Sequence, residues 1–158
     1  MNSTATVHRE LLPGYEVVEQ IGSGGYGEVF RAVAPGGIEK AVKLLHGYFD
    51  DECAARELKA LERVKELRHP FLLSLERFEV VDGKLVVVTE LAEGSLDDVF
   101  QACRRAGQPG IGRAELLDYL GDAADALDYM QQQHGLQHLD VKPENLLIVG
   151  GHVKVADF

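Results

Sequence analysis

Several shortages bound this sequence before any motif is read. The 158 residues include no tryptophan, two methionines and two cysteines. Cys53 and Cys103 lie far apart, with no CxxC spacing and no neighbouring histidine pair, so neither a disulfide framework nor a zinc site is expected. They read as free thiols of a reducing cytosol. Basic residues are also scarce: 16 Lys and Arg stand against 26 Asp and Glu, a net charge of −10. A non-specific nucleic-acid binder needs clustered positive charge, so that class is excluded. No apolar run approaches the roughly twenty residues needed to cross a bilayer. The first twelve residues are polar and lack the apolar core of a signal peptide. The chain is therefore expected to be cytoplasmic, or the cytoplasmic-facing part of a longer protein. Internal repeats and low-complexity tracts are absent as well.

What is present is ordinary for a globular chain, 46% hydrophobic and 27% charged, with enough length for a substantial core. Residues 1–12 read as a loose arm. A Pro13-Gly14 turn leads into a strand over Tyr15–Ile21, followed by Gly22-Ser23-Gly24-Gly25-Tyr26-Gly27. A GxGxxG pattern alone is weak, because glycines mark any tight turn. The next segment decides its meaning. A dinucleotide fold would open a helix here, but Glu28–Ala34 is β-branched and alternating, so the order is strand, glycine turn, strand. A third strand, Ile38–Leu45, carries Lys43 among apolar residues, a costly placement unless the lysine finds a partner.

Asp51–Arg68 reads as a helix, with Leu58, Leu61, Val64 and Leu67 at spacings of three and acidic residues in its first turn. His69-Pro70 stops it. Phe71–Val81 and Lys84–Glu90 form a hairpin across Asp82-Gly83, and a short connection leads to a helix over Leu96–Arg105. The longest helix, Arg113–Gln133, carries Leu116, Leu120, Ala123, Leu127 and Met130 along one face.

The last twenty-one residues, His138 to Phe158, organise the rest. Asp140, Lys142 and Asn145 sit on a proline-bearing loop. Leu146–Val149, a Gly-Gly turn and His152–Val155 then make a hairpin that ends at Asp157. Polar groups held at the rim of a small sheet are well suited to gripping a nucleotide's metal ions beside an acceptor hydroxyl. Here the chain resembles the protein kinase family, in its glycine loop, its Ala41-Val42-Lys43, its His138-Leu139-Asp140-Val141-Lys142-Pro143-Glu144-Asn145 loop and its Asp157-Phe158.

The resemblance implies an α+β, protein-kinase-like fold: an antiparallel five-stranded lobe with one helix over 13–90, a hinge over 91–95, and the first part of a helical lobe over 96–158. It implies an ATP-dependent serine/threonine kinase using Mg2+ and a protein substrate, the Lys142-Pro143-Glu144-Asn145 form being that of serine/threonine members. Gly22, Gly24 and Gly27 would cover the phosphates and Lys43 would bind them. Val29, Ala41 and Leu147 would sandwich adenine, and the backbones of Glu90 and Ala92 would face it, beside Thr89. Asp140 would orient the acceptor hydroxyl, Lys142 would steady the phosphoryl group, and Asn145 and Asp157 would hold the metal. Leu61, Leu75, His138 and Phe158 match the family's stacked apolar column, with His138 structural. Glu57 and Glu62 compete to pair with Lys43. Glu57 is preferred, because taking Glu62 would put Arg63 and Lys65 where apolar residues belong.

One departure concerns regulation. The family usually has His-Arg-Asp, but Leu139 stands where the arginine would pair with a phosphorylated loop. Two rivals remain at this level. A small-molecule phosphotransferase of the aminoglycoside-kinase type shares the aspartate and the asparagine five residues on, but it usually lacks the lysine and the Asp-Phe pair. The other rival is a catalytically inert fragment or a pseudokinase-type scaffold. Since the sequence stops at Phe158, the 158 residues alone are expected to be inactive.

Overall fold

The computed structural model describes residues 10–47 and 51–157. Residues 1–9, the side chain of Cys53, and Phe158 with its place in the apolar column lie outside the described residues. The chain divides into two compact units: residues 1–63 with 75–91, and residues 64–74 with 92–158.

The first unit is a six-stranded antiparallel sheet in the order β1-β2-β3-β4-β6-β5. Its strands are β1 (Glu10–Leu12), β2 (Tyr15–Gly24), β3 (Gly27–Val33), β4 (Glu39–Leu45), β5 (Leu75–Val81) and β6 (Lys84–Glu90), with α1 (Asp51–Lys65) between β4 and β5. Strand β1 corrects one expectation. Glu10–Leu12 pairs with β2 instead of trailing as an arm, and the reason is burial: Leu11 and Leu12 enter the core with Tyr15, Phe30, Ala32, Val42, Leu44, Val86 and Val88. The sheet consequently has six strands where five were expected.

Strand register sorts the two faces. Phe30, Val42 and Val88 are cross-strand partners and fill the core. One residue along, Val29, Lys43 and Val87 are partners, as are Ala41 and Thr89 in the next row, so these residues share the opposite face. The expected nucleotide-facing side chains Val29, Ala41 and Lys43 thus stand together on the face turned away from the core. The glycine turn joins β2 to β3, closing at the Gly24–Gly27 pair.

Helix α1 is shorter than its apolar spacing predicts and ends at Lys65. Its last turn tightens, Leu67 N–H donating to the Val64 carbonyl, and the Arg68 amide donates to the Tyr129 hydroxyl (3.2 Å) instead of continuing the helix. The expected strand over Phe71–Val81 starts only at Leu75. Phe71–Ser74 is claimed elsewhere: Val155 N–H donates to the Phe71 carbonyl (2.8 Å) and Leu73 N–H to the Val155 carbonyl (3.0 Å). Residues 64–74, expected in the first lobe, accordingly belong to the second unit.

The second unit holds α2 (Leu96–Arg105), α3 (Arg113–His134) and a three-stranded sheet in the order β7-β8-β9, made of Gly94–Ser95, Leu146–Val149 and His152–Val155. A capping box starts α2, with Ser95 Oγ accepting from Asp98 N–H and the Asp98 carboxylate accepting from Ser95 N–H. Gly135 ends α3 in the left-handed conformation. The core joins Leu67, Leu72, Leu96, Ala123, Ala126, Met130, Leu146, Ile148, Val153 and Val155. The predicted apolar face of α3 is largely packed there: Ala123 and Met130 are buried, Leu116 and Leu127 pack against the cluster, and Leu120 is 43% exposed.

Candidate active site

A hairpin sets the frame. Leu146 and Ile148 of β8 point into the core, which anchors the strand immediately after Asn145 and leaves Leu147 half-buried on the other face. Asp122 of α3 fixes the start of β9, its carboxylate accepting from Val153 N–H and bonding His152 Nδ1, both at 3.1 Å. Between α3 and β8 the chain forms a loop closed by a single 3-10 turn, Pro143–Asn145, where proline at the first position pre-sets the backbone.

Three expected site residues converge within this loop, Asp140 and Lys142 from the catalytic set and Asn145 from the metal set. The Asn145 side-chain amide donates to the Asp140 carbonyl (2.9 Å) and to Asp140 Oδ2 (3.1 Å). Lys142 Nζ lies 3.3 Å from the same Oδ2. Asn145 is only 5% exposed, while the Asp140 and Lys142 side chains are about half exposed. An ion pair that open contributes little to stability. Its value is orientation: one carboxylate oxygen of Asp140 is held by two donors.

His138 fastens the loop from below. It is buried, its Nδ1 accepts the Asp140 N–H (3.2 Å), and its Nε2 lies 2.6 Å from the Ala156 carbonyl. A nitrogen that accepts carries no proton, so the ring is the Nε2–H tautomer and Nε2 donates. Ala156 N–H in turn donates to the Asn145 carbonyl (2.9 Å). Asp157, one residue further, is therefore positioned from the loop that carries Asn145.

Two residues here hold the left-handed conformation that side chains disfavour, Leu139 (φ +65°) and Asp157 (φ +58°). Strain of this kind costs about 1–3 kcal/mol and gathers at functional sites. Leu139 is also 87% exposed. Among the described residues two groups have clearly displaced pKa values, Arg77, raised beside Glu79, and Tyr119, raised by its hydrogen bond to Glu115; neither belongs to this loop.

In the first unit, the glycine turn separates two kinds of glycine. A Cβ on Gly27 would sit 2.3 Å from the Leu44 carbonyl oxygen, so glycine is required there by strand pairing itself. Gly24 has nothing within 4 Å, and Gly22 meets only Val29 at ordinary contact distance. Lys43 is half-buried on β4, and Glu57 is an exposed residue of α1. The hinge-side residues Glu90, Leu91 and Ala92 lie at the end of β6 and just beyond it, and the chain passes from one unit to the other between Leu91 and Ala92.

As metal ligands, the side-chain oxygens of Asn145 and Asp157 are the hard donors Mg2+ prefers. No cluster of three or more His, Cys, Asp or Glu suited to a metal occurs among the described residues.

Residues 15–158 match the protein kinase domain. The chain belongs to the protein kinase family. Curated relatives agree. The chain is 34% identical over 148 residues to the cyclin-dependent kinase F-3 of Oryza sativa subsp. japonica, covering 91% of this chain and 32% of the relative. It is 28% identical over 145 residues to a probable serine/threonine-protein kinase of Dictyostelium discoideum, covering 91% and 28%. It is 35% identical over 152 residues to the leucine-rich repeat receptor protein kinase MSL1 of the same rice, covering 91% and 10%. The chain thus spans a third or less of the length of these relatives.

Sequence reading missed several positioning residues of this kinase domain. Tyr129 gave no motif, since its role is to catch an amide sixty-one residues away. Asp122 is one of several acidic residues on α3, and no local pattern marks it out. The Ser95–Asp98 capping box was visible as a Ser followed three residues later by an acid.

Proposed function

We propose that this kinase domain transfers the γ-phosphoryl group of ATP, bound with Mg2+, to serine or threonine hydroxyls of a protein substrate. The observation that carries the reading is the convergence of Asn145 and Lys142 on Asp140 Oδ2. In this reading Asp140 takes the acceptor proton on its remaining oxygen as the new oxygen–phosphorus bond forms and the bond from the γ-phosphorus to the oxygen bridging it to the β-phosphate breaks, releasing ADP. Lys142 neutralises charge on the phosphoryl oxygens in transit. Asn145, whose amide hydrogens are turned to Asp140, presents its oxygen to the metal, and Asp157 supplies a carboxylate. Asn145 and Asp157 would hold Mg2+, which when bound would supply positive charge against the phosphates.

The first unit supplies the nucleotide grip: backbone N–H groups of Gly22, Gly24 and Gly27, and Lys43 on the phosphates with Glu57 as its partner. By resemblance to the family, Val29 and Ala41 are assigned to adenine, as are Leu147 and the backbones of Glu90 and Ala92. The Lys142-Pro143-Glu144-Asn145 segment supports serine/threonine specificity, as does the name of the Dictyostelium relative. The acidic composition and the thiols support a cytoplasmic site of action. The test is phosphoamino-acid analysis of a mixed protein substrate incubated with labelled ATP and Mg2+. Phosphoserine and phosphothreonine are expected; phosphotyrosine, or no transfer at all, overturns the reading.

A further inference from the structure

Resting on that reading of the nucleotide site, the structure assigns Glu93 a positioning role: it fixes the hinge-side backbone at Ala92 against the strand carrying Leu147. Three hydrogen bonds hold the segment just after Ala92. Glu93 N–H donates to the Ile148 carbonyl (2.9 Å), and the Glu93 carboxylate reaches past it to accept Gly150 N–H (2.9 Å). Two residues on, Ser95 N–H donates to the Asp98 carboxylate (2.8 Å). Gly94 and Ser95 meanwhile register with Ile148 and Leu147.

Glu93 is the member of this set whose side chain spans the turn. Gly150 holds φ +59°, a conformation glycine adopts freely, and its amide is turned onto the carboxylate. The carboxylate therefore ties together both ends of β8's partner contact: the hinge on one side and the β8–β9 turn on the other. Ala92 lies one residue before this clamp, and Leu147 lies between the loop asparagine and the two clamp contacts at Ile148 and Gly150. An adenine resting on Leu147 and bonding the Ala92 backbone needs those two elements at a constant offset. A charge-assisted hydrogen bond at the clamp supplies it. Glu93 touches no reacting atom, so it sets nucleotide affinity and leaves the chemical step alone.

The experiment compares the parent protein with Glu93→Ala and Glu93→Gln, measuring ATP·Mg2+ binding by calorimetry, then KM for ATP and kcat on a generic protein substrate. Glutamine keeps an oxygen that accepts from Gly150; alanine does not. Glu93→Ala is expected to weaken ATP binding and raise KM about three- to tenfold with kcat unchanged, the range for one ordinary hydrogen bond lost. Glu93→Gln should stay within about twofold of the parent. Hydrogen exchange at the Gly150 amide should quicken in Glu93→Ala alone. Unchanged affinity in Glu93→Ala, or Glu93→Gln as weak as Glu93→Ala, overturns the assignment while leaving the kinase reading intact. A parent protein that binds no ATP overturns the kinase reading itself.

Discussion

The side-chain amide of Asn145 donates twice to a single residue, to the carbonyl and to Oδ2 of Asp140. The asparagine thus has two functions in one group. Its nitrogen shapes the loop that carries Asp140, and in the proposed reaction its oxygen is the end that would meet the metal.

That double bond makes Asn145→Ala costly for folding as well as for catalysis. Asn145 is buried, so its removal takes both hydrogen bonds from the loop and leaves a gap at a packed position. The expected loss is about 1–3 kcal/mol. Urea unfolding of the parent and the variant measures it, and equal midpoints would refute the structural half of the role.

The glycine turn gives a second contrast. Gly27→Ala drives a methyl into the Leu44 carbonyl and should destabilise the first unit by about 1–3 kcal/mol through overpacking. Gly24→Ala meets open space, so its unfolding midpoint should match the parent and any effect should appear in ATP affinity alone. Thermal unfolding and nucleotide binding on both variants separate the two. A stable Gly27→Ala protein would contradict the strand geometry.

Much of this fold was legible in the amino-acid pattern. Period-two patterning found β3, β4 and β9, whose alternation records a buried face, whereas β6 and β8 are apolar runs located by the Asp82-Gly83 and Gly150-Gly151 turns beside them. The Asp140–Asn145 loop was read through its resemblance to the family's motif, and the structure brings the Asp140, Lys142 and Asn145 side chains together there. What escaped the sequence was decided at long range. Leu11 and Leu12 became a strand because a core opened beside them, and Phe71–Ser74 left its hairpin because Val155 offered both backbone partners. Helix α1 stopped early because Tyr129 captured the Arg68 amide. Local propensity carries no trace of such partners.

Leu139 bears on regulation. It is exposed, strained and uncharged where an arginine would pair with a phosphorylated segment. Activity is therefore expected to be independent of prior phosphorylation. A phosphatase-treated protein should phosphorylate a generic substrate from the first time point. A long lag that disappears after pre-incubation with ATP would refute this.

In the proposed reaction Asp140 takes the acceptor proton while Asn145 and Asp157 keep the metal. The most direct measurement is kcat for Asp140→Asn beside its affinity for ATP·Mg2+. No metal ligand is lost in that change, so ATP should bind within about twofold of the parent while kcat falls about a hundredfold or more, the usual contribution of a positioned base. Near-normal turnover in Asp140→Asn would contradict the account.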